Sequence, residues 1–342
     1  MKRALVIGSG YRVRNAFLPA LSCLGIRVVG VYSRSVENAR RAGEPYGIPA
    51  VEDVSSLRPG DVDVVLVSVT VSNNVEVMQQ IAHLAPGAAL VMDTPGISRP
   101  TDLWYLPLYR RWAQVRVAED FMNMPQYRLV NKVIGDGHLG DITSVSMDHM
   151  GYQYHALALI RSWLGMRTPR SARGHRSAQG AVDVRYRFDG VVAGVREPYR
   201  QGEGSFTVTG TRGSIAGHPM GHPVDATIRL ERIENGELAG FRVPGLDTEI
   251  MVPRLKRVRD LGLEDPSEFN VLRVDGLCEV VSSLWEPDPV NAQYRLEDAM
   301  ADRLVSAAVR RFRRVPAGNI VDRVDSMLDR LRTSTAQERP PN

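Results

Sequence analysis

Between residues 4 and 118, short apolar runs alternate with helical stretches, and no other feature of the chain restricts its fold as much. Residues 4–7, 27–32, 62–69, 89–93 and 115–118 read as strands, and 15–24, 36–46, 74–83 and 101–113 as the helices between them. Most of the strand runs are apolar along nearly their whole length instead of on alternate residues, which is the pattern of strands buried on both faces. Strands of this kind joined by helices form a parallel sheet with right-handed crossovers and a helical layer on each side.

The first strand runs directly into Gly8-Ser9-Gly10, which opens the first helix. Glycine permits the tight turn and lets backbone amides approach a pyrophosphate at the helix N-terminus, as in a dinucleotide-binding Rossmann domain. Val13 stands where GxGxxG has its third glycine, so the strand–turn–helix context carries more weight than the motif itself. The second strand ends in Tyr32-Ser33-Arg34-Ser35, without the carboxylate that would hold a ribose 2′-hydroxyl. A hydroxyl and a guanidinium suit a 2′-phosphate, so the expected cofactor is NADP(H), held by Gly8, Ser9, Gly10, Tyr11, Ser33, Arg34 and Ser35. Arg12 and Arg14 are expected to add to the same phosphate pocket.

After residue 120 the rhythm changes. Residues 125–136 read as a helix stopped by Gly137, 143–150 as a strand and 154–164 as a helix. Strand-like runs follow at 182–188, 191–197, 205–210, 214–216, 226–232 and 238–243, with turn signals such as Asp189-Gly190, Arg212-Gly213 and Asn235-Gly236 between them. Residues 265–286 and 293–314 return to helix. The expectation is an α+β domain with a large, mostly antiparallel, open-faced sheet and helices on one face. At 342 residues the chain exceeds one ordinary core, and it divides into 1–122 (nucleotide-binding), 123–332 (substrate-binding and oligomerisation) and a disordered tail, 333–342.

Composition removes several functions. The net charge of +4 is spread along the chain, and its dense basic runs, 256–259 and 310–314, form no stripe interleaved with aromatics, so nucleic acid is not an expected partner. No stretch of 18 uncharged apolar residues exists to cross a membrane, and Met1-Lys2-Arg3 leads straight into the first strand without a signal peptide. Cys23 and Cys278 lack CxxC partners and read as buried, reduced thiols, which together place the chain in the cytoplasm. His218 and His222 lie in a Gly/Pro-rich stretch without further ligands, so no metal is expected. Only three lysines (Lys2, Lys132, Lys256) occur beside forty arginines, which limits lysine-based catalysis.

The motifs resemble those of the glucose–fructose oxidoreductase / inositol dehydrogenase (Gfo/Idh/MocA) family. Ile7-Gly8-Ser9-Gly10 and Leu18-Pro19-Ala20-Leu21 match its opening, and Val117-Ala118-Glu119-Asp120-Phe121 through Pro125 its passage into the second domain. The turn at 136–142 and Gly151-x3-His155, ten residues before Gly165, resemble its sheet entry and active-site helix. The resemblance implies further cofactor contacts at Arg12, Val69, Thr70, Asp93, Pro95 and Glu119. Two positions depart from the pattern. Asp93-Thr94-Pro95 replaces Glu-Lys-Pro, and Ala158 stands where an aspartate usually follows the histidine by one turn. Threonine donates a hydrogen bond but brings neither positive charge nor a pKa suited to proton transfer near neutrality.

The candidate catalytic residues are therefore His155, Tyr154, Tyr152 and Thr94. The tyrosines and His155 start the 154–164 helix, whose positive end favours an anionic substrate or a tyrosinate. Asp148 and His149 alternate across a strand, so only one can face the cleft. The resulting expectation is an NADPH-dependent reductase of a small metabolite, with a C=N, C=C or C=O acceptor and proton delivery that does not use lysine. The alternatives are a sugar or polyol dehydrogenase with a relocated acid/base, or a non-catalytic NADP(H)-binding sensor or scaffold. The open face of residues 182–243 is expected to pair with a second copy, giving a homodimer or a dimer of dimers.

Overall fold

The computed structural model describes residues 1–176, 182–200, 203–218, 227–234, 236–286, 293–311, 314–320, 322–324 and 326. His222, Ala226, Asn235 and the 333–342 tail lie outside the described residues. The first half is the expected α/β domain. Its sheet comprises β1 (Arg3–Ile7), β2 (Arg27–Tyr32), β3 (Ala50–Val51), β4 (Val64–Val67), β5 (Ala89–Asp93) and β6 (Gln114–Ala118), all parallel, in the order β3-β2-β1-β4-β5-β6. Ala4–Ile7 and Val64–Val67 are buried on both faces, as their uninterrupted apolar sequence requires. The order reverses beside β1, so the connections that leave the carboxyl ends of β1 and β4 run in opposite directions and open the crevice in which such sheets bind ligands.

Helical backbone begins at Tyr11, widens into a π-helical turn over Val13–Phe17 and closes with α1 (Leu18–Cys23). Single π turns of this kind concentrate at functional sites. Two helices cover the faces near the crevice: α2 (Val36–Gly43), capped by the Ser35 hydroxyl, and α3 (Asn74–Ile81). The helix expected over 101–113 is instead a 3₁₀ segment, Pro100–Tyr105, followed by the single turn α4 (Leu106–Tyr109). Pro107 explains this, because its ring and missing N–H break a longer helix.

The second half contains α5 (Pro125–Gly135), β7 (Ile142–Asp148), α6 (Gln153–Trp163), β8 (Ser171–Arg176), β9 (Val182–Arg187), β10 (Val192–Glu197), β11 (Ser205–Gly210), β12 (Gly213–Gly217), β13 (Arg229–Arg232), β14 (Leu238–Val243) and β15 (Thr248–Met251), and then α7 (Arg254–Asp260), α8 (Glu268–Ser282) and α9 (Leu296–Arg311). The main sheet runs β12-β11-β7-β10-β9-β8 and is antiparallel except between β7 and β10. The sequence reading missed β8, β15 and α7, and it placed 226–232 and 238–243 in the main sheet. Those residues form a separate three-stranded sheet, β13-β14-β15. Alternation alone identifies a half-buried strand, not the sheet it joins.

One face of the main sheet packs inward through Val145, Met147, Val184, Tyr186, Ala193, Val195, Phe206 and Val208. Trp163 of α6, Tyr127 of α5 and Phe206 meet edge-on or tilted beneath it. α6 is fixed to α9 by Arg161, a buried guanidinium bonded to Asp298 (2.8 Å) and Asp302 (2.9 Å). Burial raises the Asp302 carboxyl to about 6 against the pull of Arg161. Glycine contacts bring the halves together at α8, where a Cβ on Gly276 would lie 2.5 Å from the Asp120 carbonyl oxygen.

Candidate functional site

The glycine turn has the stereochemistry its sequence implies. Gly8 has φ +117°, and a Cβ there would sit 2.0 Å from the Ser68 carbonyl oxygen, so only glycine fits. A Cβ on Gly10 would meet nothing within 4 Å, so this edge of the turn is open to an approaching group. The Ser9 hydroxyl donates to Ser33 Oγ at 3.0 Å, joining the turn to the end of β2. Arg34 is exposed next to this pair and makes no hydrogen bond or ion pair with a described residue. The Ser35 side chain, by contrast, is committed to the Asn38 amide as the cap of α2. Thr70 is exposed and Val69 half-buried just beyond β4.

Arg12 and Arg14 do not join Arg34. Arg14 bonds Glu264 (2.5 Å) and the Ser9 carbonyl (2.7 Å), tying the turn to the loop before α8. Tyr11 reaches the same loop through Asp265 (2.8 Å), and Asn15 bonds Glu264 and accepts from the Asp265 amide. Arg12 points the other way, across the carboxyl ends of β5 and β6. Its Nε donates to Asp93 (3.3 Å), Nη1 to Asp120 (2.7 Å) and Nη2 to the Ala118 carbonyl (3.3 Å). Arg273 of α8 donates to the same Asp120 oxygen at 3.1 Å. Burial would push the Asp120 carboxyl up, but Arg12 and Arg273 together hold it down to about 2. Asp93 also accepts from Ser68 (2.7 Å) and the Thr94 amide (2.9 Å). The sequence placed Arg12 on the phosphate side instead, because its pairing with Asp93 and Asp120 joins residues 81 and 108 positions apart.

Thr94, Tyr154 and His155 meet beside it. His155 Nδ1 lies 2.6 Å from Glu119 Oε2. A carboxylate only accepts, so this pairing places the proton on Nδ1 and orients the ring. The Tyr154 ring lies against the imidazole with centroids 4.1 Å apart, and the Thr94 side chain lowers the tyrosine's pKa against burial. Burial and then the Glu119 charge raise the Tyr154 pKa, so the group is a phenol at neutral pH and can donate. This overturns the tyrosinate expectation. The positive end of α6 is not free either: buried Glu197 accepts from the Gln153 amide (2.7 Å) and pairs with Arg310. Tyr152 is 45% exposed under the Arg310 guanidinium, at the outer lip.

Asp148 lies on the open sheet face with Arg196, and His149 bonds the Pro198 carbonyl, so neither joins the cluster. Ala158 is fully buried, and Lys132 pairs with Asp136 on an outer helix face. No group of three metal-ligating side chains occurs among the described residues.

These features fit a dinucleotide. Glu119 Oε1 is buried without a hydrogen-bond partner, an acceptor that a carboxamide N–H can satisfy. Gly8 and Gly10 provide the tight turn and its open edge, and Arg34 the unpaired cation.

Residues 2–103 match the model of the Gfo/Idh/MocA oxidoreductase family, NAD-binding Rossmann fold. The resemblance seen in the motifs therefore holds over the nucleotide-binding domain. Similar solved structures extend the fold over nearly the whole chain. An oxidoreductase from Agrobacterium radiobacter in complex with NAD+, L-tartaric acid and magnesium is 15% identical with a TM-score of 0.67, covering 93% of this chain and 99% of its own. A levoglucosan dehydrogenase in complex with NADH and levoglucosan is 15% identical with a TM-score of 0.65, covering 93% and 98%. The transcriptional regulator Gal80p from Kluyveromyces lactis is 12% identical with a TM-score of 0.66, covering 93% and 95%. A comparison with curated proteins finds no match.

Proposed function

On this Gfo/Idh/MocA frame, we propose that the protein is an NADPH-dependent reductase of a small metabolite, with an imine or iminium carbon as the preferred hydride acceptor. The cofactor choice is carried by Arg34, an unpaired guanidinium beside Ser33 at the end of β2, where no carboxylate is available for a 2′-hydroxyl. NADPH, when bound, supplies the hydride. The chain has to hold the acceptor and exclude water; a neutral imine also needs one proton from the chain to complete the addition, whereas an iminium is reduced by the hydride alone.

The acceptor preference follows from the charges. Asp93 and Asp120 are paired with Arg12 and Arg273, whereas Glu119 is met by the imidazole of His155. Arg12 spends its charge on two carboxylates, and Thr94 brings none. Such a cluster stabilises a developing oxyanion poorly and a cationic C=N group well. One proton near the acceptor position is that of the Tyr154 hydroxyl, buried against Thr94; His155, whose Nδ1 proton is held by Glu119, can give a proton from Nε2 only as an imidazolium. The C=C and C=O alternatives remain within the same reductase reading but draw less support from this charge balance.

A non-catalytic NADP(H) sensor is the second reading. It is favoured by the Arg12 bridge lying across β5 and β6, and by the likeness to a protein described as a transcriptional regulator. Calorimetric titration tests the cofactor assignment. NADPH is expected to bind more than tenfold tighter than NADH, and Arg34→Ala to remove most of that gap, since a charged hydrogen bond contributes roughly 1.5–3 kcal/mol. Equal affinities in the wild type refute it. Oxidation of bound NADPH by a panel of cyclic imines separates the reductase from the sensor.

A further inference from the structure

A groove of about 500 Å³ lies between the segment following Thr94-Pro95 and the outer face of α9. Its floor is apolar, formed by Ile97, Leu103, Leu304, Ala308 and Ile320. Four arginines line it, Arg99, Arg303, Arg311 and Arg323, and no Asp or Glu does so among the described residues. Arg99, Arg311 and Arg323 are exposed and make no ion pair with a described residue. Elsewhere in this chain arginines are commonly paired: Arg12, Arg14, Arg161, Arg254 and Arg310 all have carboxylate partners. Arg303 connects the groove to the candidate active site. Its guanidinium lies 5.8 Å from the centre of the Tyr154 ring, and Nη1 donates to Gln153 Oε1 at 3.2 Å.

We propose that this groove binds a small amphipathic carboxylic acid, and that it holds the apolar, carboxylate-bearing part of the substrate while the reducible bond reaches Tyr154. The volume is in the range of small-molecule sites, and the mixture of an apolar floor with a few convergent polar groups is typical of them. Burial of an apolar body against the floor supplies affinity. The carboxylate supplies what the rim lacks, because guanidinium groups bind it bidentately and no protein carboxylate competes. The carboxylate sits at the arginine edge and the C=N group at the acidic cluster, so the two ends of the cleft accept opposite charges. That the occupant is the substrate rests on the reductase reading; that the groove binds an apolar acid does not.

The test uses the full chain and 2-naphthoate as the probe, with neutral 2-naphthamide as its control, by titration calorimetry with and without NADPH. Naphthoate is expected to bind at least tenfold tighter than naphthamide. Arg99→Ala/Arg311→Ala should weaken naphthoate at least tenfold while leaving naphthamide within twofold. Ala308→Glu, which places a carboxylate on the floor, should abolish naphthoate binding. NADPH affinity should stay within twofold in these variants, which shows that they are folded. Equal affinity for acid and amide, no naphthoate binding at millimolar concentration, or indifference to all these substitutions overturns the proposal. A failure to bind NADPH defeats the reductase reading instead, and leaves the naphthoate result to stand or fall separately.

Discussion

The Arg12 bridge gives the most quantitative test of the site. Replacing it by methionine keeps much of the side-chain volume but removes the donors to Asp93, Asp120 and the Ala118 carbonyl. Asp93 is partly exposed and keeps Ser68 and the Thr94 amide, so its loss is modest. Asp120 is 4% exposed and keeps only Arg273 among these cations. Removing one partner of a buried ion pair costs about 3–5 kcal/mol when the remaining charge is left without compensation, and Arg273 keeps the cost at Asp120 below that range. In the wild type the folded Asp120 carboxyl is held down to about 2, against 3.8 as its ordinary value. A depressed folded pKa contributes stability that is present above about 4 and is lost as pH falls through about 2. A shift of that size corresponds to roughly 2.5 kcal/mol. In Arg12→Met the folded carboxyl rises toward its ordinary value, with Arg273 still opposing burial, and the penalty is largest at neutral pH and disappears once both states are protonated. Urea unfolding should therefore show Arg12→Met destabilised by about 2–3 kcal/mol at pH 7.5, with roughly half of that loss recovered only near pH 3. Adding Asp120→Asn should recover part of it at pH 7.5. A loss below about 1 kcal/mol, or one independent of pH, would refute the argument that Arg12 neutralises a buried carboxylate.

Two further outcomes are expected. Tyr154→Phe and His155→Ala should each leave NADPH affinity unchanged, and at least one should lower single-turnover imine reduction by about 10²–10⁴, the usual contribution of a general acid; wild-type rates in both would transfer proton delivery to water. Light scattering at micromolar concentration should give a homodimer or dimer of dimers through the open face of β7–β12, where Val192 is exposed. Because Arg173 and Arg185 face each other in register without acidic partners among the described residues, that assembly should also be sensitive to salt. A monomer would remove the sheet face as the interface.

Periodicity and glycine chemistry made the first domain legible in advance. Apolar runs such as Val64–Val67 and a glycine forced to φ +117° under the Ser68 carbonyl are local facts, and the parallel order of the strands follows from them by general rules of connection. The pairing of Ser33 and Arg34 at the end of β2 was readable for the same reason. The second domain was readable as strands but not as sheets, because a strand's sequence does not state its partner: β13 and β14 left the main sheet for β15, and β7 and β10 paired in parallel. The chemistry of the site lay further still from the sequence. His155 was visible from its motif, but its Glu119 partner, the Glu197 carboxylate that closes the end of α6, and the turn of Arg12 away from the phosphate side all depend on long-range charge pairing. A buried arginine takes whichever carboxylates the fold brings within reach: Arg12 meets Asp93 and Asp120 when the first sheet assembles, and Arg273 joins them only after the two domains have packed.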